Sequence, residues 1–218
     1  YNIDAIWFIN GDFINNKKVF WLSQLMFLYN SSKLNIFLDE FKENHGYLFS
    51  PINLNNCKVN ELDQWAKENY SKTLAESLNN FIKKIDWNEE NEAGKNAIFA
   101  TPEVIRDLSK NFTIGNHTLT HPNFRNLSIE DKVYEAEESR TMIEKITGAK
   151  IDCFAFPFGQ EHFHWCQNDV KIIENLGYNY IFSVFNEEER LNKKAIFRYD
   201  IPSIGGSEFK SLINSIMQ

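Results

Sequence analysis

The chain has 218 residues, 43% hydrophobic, 15% aromatic and 24% charged, enough apolar side chain for one sizeable core and too much for wholesale disorder. Thirty acidic against 23 basic residues give a formal net charge of -7, which argues against a broad electrostatic grip on nucleic acid phosphates. No apolar run approaches the roughly 18 residues of a membrane span, since the best candidate, Val19 to Tyr29, is broken by Ser23 and Gln24.

Cys57, Cys153 and Cys166 show no CxxC spacing, so they read as free thiols and not as a disulfide framework or a cysteine zinc site. Tyr1-Asn2-Ile3-Asp4 runs directly into the strand candidate Ala5 to Ile9, with no initiator methionine or leader before it. This reads as a fragment whose true start lies upstream, which leaves the compartment open.

Asn10-Gly11-Asp12 is a turn signal. From about residue 17 to 95 the apolar period is helical: Trp21 to Tyr29 and Asn35 to Phe41 read as short helices, and Ser50 to Asn56 as a turn-rich connection. The clearest helix is Ser71 to Ile85, where Leu74, Leu78, Phe81, Ile82 and Ile85 recur on one face. From Ala97 strand and helix alternate. Thr101-Pro102 caps a short helix with Val104, Ile105 and Leu108 inward, and Phe112 to Gly115 is a strand. Ser128 and Asp131 resemble a capping box opening a helix that carries Val133, Ala136, Ile143 and Ile146 and stops at Gly148. Ile151 to Phe156 is a strand, Asn168 to Leu176 a helix ending at Gly177, Tyr178 to Phe185 and Ala195 to Ile201 are strands, and Ser207 caps a last helix. This alternation predicts a parallel sheet, open or closed into a barrel.

The sharpest chemical signal is Asn116-His117-Thr118-Leu119-Thr120-His121-Pro122. It puts two imidazoles four residues apart directly after a strand, where one helical turn brings both rings to the same side. Pro122 disfavours helical geometry at His121, so the pair belongs on a single turn in a loop. In parallel β-α folds functional groups collect at the C-terminal ends of strands, and this is such an end. The next strand ends in Phe154-Ala155-Phe156-Pro157-Phe158-Gly159, which is expected to turn out of the sheet at its proline, so that two strand ends line one pocket.

These residues resemble the polysaccharide deacetylases of the NodB-homology type, carbohydrate esterase family 4. The family's H-[ST]-x-x-H-P metal motif is matched by His117 to Pro122, with similar flanks at Phe112 to Asn116 and Asn123 to Ser128. Its R-x-P-Y-G groove motif appears in altered form as Ala155 to Gly159, as in relatives with FAYPYG-like sequences. Tyr1 to Ile9 looks like the family's second strand. The resemblance implies a distorted (β/α) barrel, its first strand missing, as one domain over residues 1–218 with a helical insertion at about 17–95.

It also implies a metal-dependent hydrolase that removes N-acetyl or O-acetyl groups from a polysaccharide or amino sugar. His117 and His121 would be metal ligands, with zinc the default and cobalt or nickel also suited to imidazole. By family position the backbone N-H of Phe158 is the oxyanion donor, and Phe156, Pro157, Phe158 and Gly159 are substrate-binding. The family's T-F-D-D-G motif, which carries the catalytic base and the aspartate ligand, belongs to the strand before residues 5 to 9. The family's L-x-H acid has no clear counterpart in Arg198 to Pro202, and His164, or its neighbour His162, is the candidate replacement. The implied partner is a carbohydrate, and relatives often act at the cell envelope.

Plainer readings stand beside each of these. The two histidines could be loop residues bonded to backbone, Phe156 to Phe158 ordinary core, Arg198 and Asp200 a structural ion pair, and Glu187 to Glu189 a solvated loop. At the level of the whole domain, a non-catalytic carbohydrate-binding relative that keeps the pocket is the alternative to the enzyme, and a pure interaction module is the third reading.

Overall fold

A computed structural model describes residues 5–16, 19–54, 57–85, 100–184 and 196–197. Its framework is a five-stranded sheet in the order β1 (Ile6–Ile9), β2 (Thr113–Asn116), β3 (Cys153–Gln160), β4 (Tyr180–Val184) and β5 (Ile196–Phe197). All four pairings are parallel. Strands that neighbour each other in strict chain order need crossovers of one hand, which keep their helices on one face of the sheet. Among the described strands there is no reversal of order of the doubly wound kind.

The sheet is also strongly curved. Phe8 on β1 and Phe182 on β4 are three strand spacings apart, about 14 Å in a flat sheet, yet their ring centroids lie 5.2 Å apart. Gly115 on the intervening β2 makes room for this, because a Cβ there would sit 2.5 Å from the Phe8 ring. Ala155, opposite Phe182 in the β3–β4 register, is the corresponding small residue on β3. The concave face is therefore floored by apolar rings over small residues.

The other face carries the α/β core of Ile114, Phe154, Phe156 and Ile181 from the strands, packed against Ala136, Ile143, Val170 and Ile173 from helices. These come from α6 (Ile129–Thr147) and α7 (Gln167–Asn175). Ser128 caps α6 by accepting from the Asp131 N-H, and Gly148 ends it at φ 70. Ser128 Oγ also bonds the Asp131 carboxylate, so the pair acts as an N-cap with a side-chain brace. Ahead of β2, Thr101 caps α5 (Pro102–Leu108), where Ile105 is buried and Leu108 packs against the core as expected, but Val104 is exposed on the opposite side.

Residues 19 to 85 build a second core of their own from α1 (Trp21–Asn30), α2 (Leu34–His45), α3 (Val59–Glu68) and α4 (Lys72–Lys84). The α4 face is the one its periodicity predicts, with Leu74, Leu78, Phe81 and Ile82 buried and Ser71 accepting from the Leu74 N-H. Helix α3 is amphipathic too, with Leu62 and Ala66 buried and Trp65 packed beside them, although its ten residues give the period little length to register.

One expectation needs correction. Strand β3 does not leave the sheet at Pro157 but continues to Gln160. Between the pairs Ala155–Phe182 and Gln160–Val184 it has residues 156–159 against Ser183 alone on β4, an irregularity that takes up the proline without a ladder bond. Phe158 and Gly159, at φ 58 and 79, form its bend. Arg198, Asp200, the Glu187 to Glu189 loop, the Ser207 helix, Tyr1 to Asp4 and the far end of the helical block lie outside the described residues.

Candidate metal and catalytic site

The histidine turn leaves the C-terminal end of β2, where His117 N-H still donates to Ile9 O at 2.9 Å. Asn116, fully buried, is its root. Its Oδ1 accepts from the Thr118 N-H (2.9 Å), while Nδ2 donates to Ala136 O (2.7 Å) and to the Tyr178 hydroxyl (2.6 Å). The Thr118 hydroxyl in turn accepts from the His121 N-H at 3.1 Å. Thr118 and His121 have φ of 70 and 58, left-handed values that a β-branched threonine adopts only when its surroundings impose them.

Three other segments brace the turn. Gly11 and Asp12 donate their N-H groups to Thr118 O and Leu119 O at 3.1 and 3.0 Å, and Asn10 bonds His117 O. A Cβ at Gly11 would press on the end of the Leu119 side chain at 2.8 Å and on the Ser139 backbone at 3.1 Å, so this approach favours glycine. From α6, the buried Glu135 carboxylate accepts from the N-H groups of Leu119 and Thr120 and from the Thr120 hydroxyl. From the helical block, Trp21 Nε1 donates to His121 O at 3.0 Å.

The product is a pair of imidazoles whose centroids lie 4.8 Å apart with planes at 82°. His117 Nδ1 lies 2.7 Å from Ala155 O. A carbonyl only accepts, so Nδ1 carries the proton and Nε2 holds the lone pair, the tautomer in which imidazole ligates through Nε2. Two imidazoles on one tetrahedral zinc, each nitrogen ~2.0–2.1 Å from the ion, have ring centres about 5 Å apart. The observed spacing fits. Among the described residues no third His, Cys, Asp or Glu joins them.

Aromatic rings wall the pair. His121 meets the Phe158 ring edge-on at 4.7 Å and the Phe20 ring at 4.9 Å. Phe158 is half-buried, with His164 at 5.2 Å and Lys67 Nζ 4.9 Å above its ring. Asn123 and Asn126, just beyond the turn, donate to the carbonyls of Lys67, Glu68 and Tyr70. The helical block is thus fastened to the rim on which the histidines stand.

The model of the family described as "Polysaccharide deacetylase" matches residues 62–181, more than half of the chain. The chain belongs to that family. The match opens inside the helical block and takes in the histidine turn and all of β3. No curated protein matches.

Among solved structures, a Streptococcus pyogenes deacetylase in complex with acetate is 17% identical with a TM-score of 0.36, over 39% of this chain and 37% of that one. A Bacillus cereus polysaccharide deacetylase is 23% identical (TM-score 0.34; 39% and 25% covered), and a Bacillus anthracis CE4 family pseudoenzyme 24% identical (0.33; 46% and 34%). The chain spans about a third of the length of those structures, and its membership of the polysaccharide deacetylase family rests on the sequence match.

The structure distributes the expected site residues unevenly. His117, His121 and Phe158 come together. Pro157 and Gly159 are buried in the β3 bend. Phe156 is fully buried, stacked on Trp165 at 4.9 Å and 7° and packed edge-on to Phe124 and Phe154, so its side chain belongs to the core behind the site. His164 is buried, and its Nδ1 accepts from the Gln160 N-H at 3.3 Å. Burial, followed by the charge of Lys67, pushes its pKa down to about 4, which keeps the ring neutral at neutral pH. His162 is exposed at φ 67.

Sequence reasoning missed Asn116, Glu135, Trp21 and Phe20. The first stands inside the motif, but nothing in its spacing marks a buried side chain. The others are brought in by packing, and no local signal points to them.

Proposed function

We propose that this domain is part of a metal-dependent deacetylase that hydrolyses acetyl groups from a polysaccharide or amino sugar, with His117 and His121 as two ligands of a divalent cation, zinc by default. The observation that carries this reading is the convergence of the two rings at ligand spacing, with His117 Nδ1 tied to Ala155 O. A cation bound there supplies Lewis-acid chemistry, polarising an acetyl carbonyl and making a water nucleophile available near neutral pH.

The chain's own residues do the rest. Ala155 O fixes the His117 ring and raises its basicity as a ligand. Phe20 and Phe158 exclude water around His121, which strengthens every charge interaction in the site. The Phe158 ring gives a sugar an apolar face, and its N-H, in the β3 bend, is the proposed donor to the developing oxyanion. No proton donor is assigned among the described residues, because burial disfavours the imidazolium of His164. That observation favours the binding-only alternative, in which a sugar occupies the pocket without turnover.

The test is metal analysis of the intact protein with His117→Ala as control, followed by acetate release from an N-acetylated oligosaccharide. Wild-type metal binding no stronger than that of the control ends the metal reading. Metal and sugar binding without acetate release turns the assignment to the non-catalytic relative.

A further inference from the structure

A carboxylate sealed beneath the histidine turn has no place in the reaction just described. Glu135 is 7% exposed, and its lone pairs are committed to the turn: Oε2 accepts from Leu119 N-H (2.9 Å) and Thr120 N-H (2.8 Å), and Oε1 from the Thr120 hydroxyl (2.6 Å). Among the described residues no lysine, arginine or histidine pairs with it. The nearby Lys72 is taken by Asp131.

Three hydrogen-bond donors offset the cost of burying this carboxylate only in part. Burial pushes the Glu135 pKa above its ordinary value and Asp12 adds to the shift, against the pull of its three hydrogen bonds. A cavity of about 340 Å³ between the helical block and α6 borders this residue, together with Trp21, Tyr70 and Thr120. The carboxylate, however, is turned onto the backbone of the turn. The two amides it grips belong to Leu119 and Thr120, the residues between Thr118 and His121 whose φ values are left-handed.

We infer that Glu135 is a positioning residue for the metal-binding turn: its carboxylate clamps Leu119 and Thr120 through charge-assisted hydrogen bonds so that His117 and His121 converge. This rests on the metal-dependent reading of the histidine pair. It differs from an ordinary folding role in its consequences. Glu135→Gln keeps the shape and an oxygen for the backbone amides but removes the charge. Because an ionised carboxylate whose folded pKa is raised costs stability above that pKa, the variant folds at least as well as wild type at neutral pH.

The experiment is calorimetric titration of the intact apo-protein with Zn²⁺ and with Co²⁺, the latter also followed by its visible absorption, for wild type, Glu135→Gln, Glu135→Ala and His117→Ala. Thermal melts of the metal-free proteins run in parallel. The expected result is ~10-fold weaker metal binding by Glu135→Gln, as for the loss of other groups that orient ligands, with an unchanged or higher Tm. Glu135→Ala, if it folds, binds at least as weakly. Glu135→Gln binding within twofold of wild type overturns the inference, and so does a loss of affinity accompanied by a matching fall in Tm. Wild type binding no better than His117→Ala is a different failure, that of the metal reading itself.

Discussion

Replacing Asn116 by alanine tests whether the histidine turn hangs from the end of β2. The side chain is fully buried and makes three hydrogen bonds of 2.6 to 2.9 Å. Its loss does not strand Ala136 O, which still accepts from the Tyr178 hydroxyl at 2.9 Å. The Thr118 N-H is stranded, because Asn116 Oδ1 was its acceptor and Thr118 is itself fully buried. An unsatisfied buried donor costs about 1–3 kcal/mol, and the space left by an amide adds roughly 1 kcal/mol. The expected total is about 2–4 kcal/mol, read by urea unfolding at pH 7 from the change in midpoint at constant slope. Tyr178→Phe, which removes one hydroxyl and leaves Asn116 bonded to Ala136 O and Thr118 N, is expected to cost about 1 kcal/mol. The double variant should fall short of the sum, since the two side chains share one network. Asn116→Ala within roughly 0.5 kcal/mol of wild type, the effect of a surface change, would show that the turn keeps its geometry from elsewhere.

Lys132 and Asp169 form a buried ion pair at 2.7 Å with side chains only 10% and 2% exposed. Lys132→Met leaves the carboxylate uncompensated and is expected to cost about 3–5 kcal/mol, again by urea unfolding. A cost under about 1 kcal/mol, that of a surface pair, would refute the burial argument. His164 titrates far below its ordinary value in the fold, at about 4 against 6.5, through burial and Lys67 and against the opposing pull of Asp63 and Glu68. The unfolded chain therefore binds the proton first as pH falls. Its contribution is complete above about pH 6.5 and disappears down to about pH 4, on the order of 1–2 kcal/mol after allowance for solvent screening. His164→Gln should flatten the stability profile over that window; a variant with the wild-type acid limb would contradict this. Trp21→Phe removes the Trp21 N-H given to His121 O and keeps the ring packing. Metal affinity should fall several-fold, and an unchanged titration would separate the helical block from the site.

The elements legible in the sequence are those whose signal is local. Helix α4 and the α6 cap follow from side chains three and four residues apart, and the histidine pair from a spacing that survives any fold placing it on a turn. Helix α3 puts Leu62, Trp65 and Ala66 on one side, but its ten residues give the period little length to register. The run of β3 through Pro157 could not be read because the ladder's tolerance for proline depends on β4, which sets Ser183 alone opposite residues 156–159. Phe156 and Phe158, two apart on one strand, look equivalent in sequence. One is fully buried against Trp165 and the other stands against His121, because the backbone bends at Phe158 itself, where φ is 58, and changes the face presented.

The same reasoning explains why the residues missed were those that hold the site. Thr118 and His121 sit at left-handed φ, each an arrangement that costs about 1–3 kcal/mol for a residue other than glycine. Such a turn persists only if its surroundings override relaxation, and those surroundings come from four separate parts of the chain. Residues 10–12 bond its carbonyls, Asn116 and Glu135 its amides, and Trp21 the His121 carbonyl. A metal-binding turn built from a strained backbone and remote braces can be spotted by its two histidines, but its rigidity is a property of the packed fold. The helical block is then more than an ornament on the rim. With Trp21 on His121 O and Phe20 against the His121 ring, it supplies one of the braces, and shortening it at α1 should loosen the histidine nearer to it before the one anchored on Ala155.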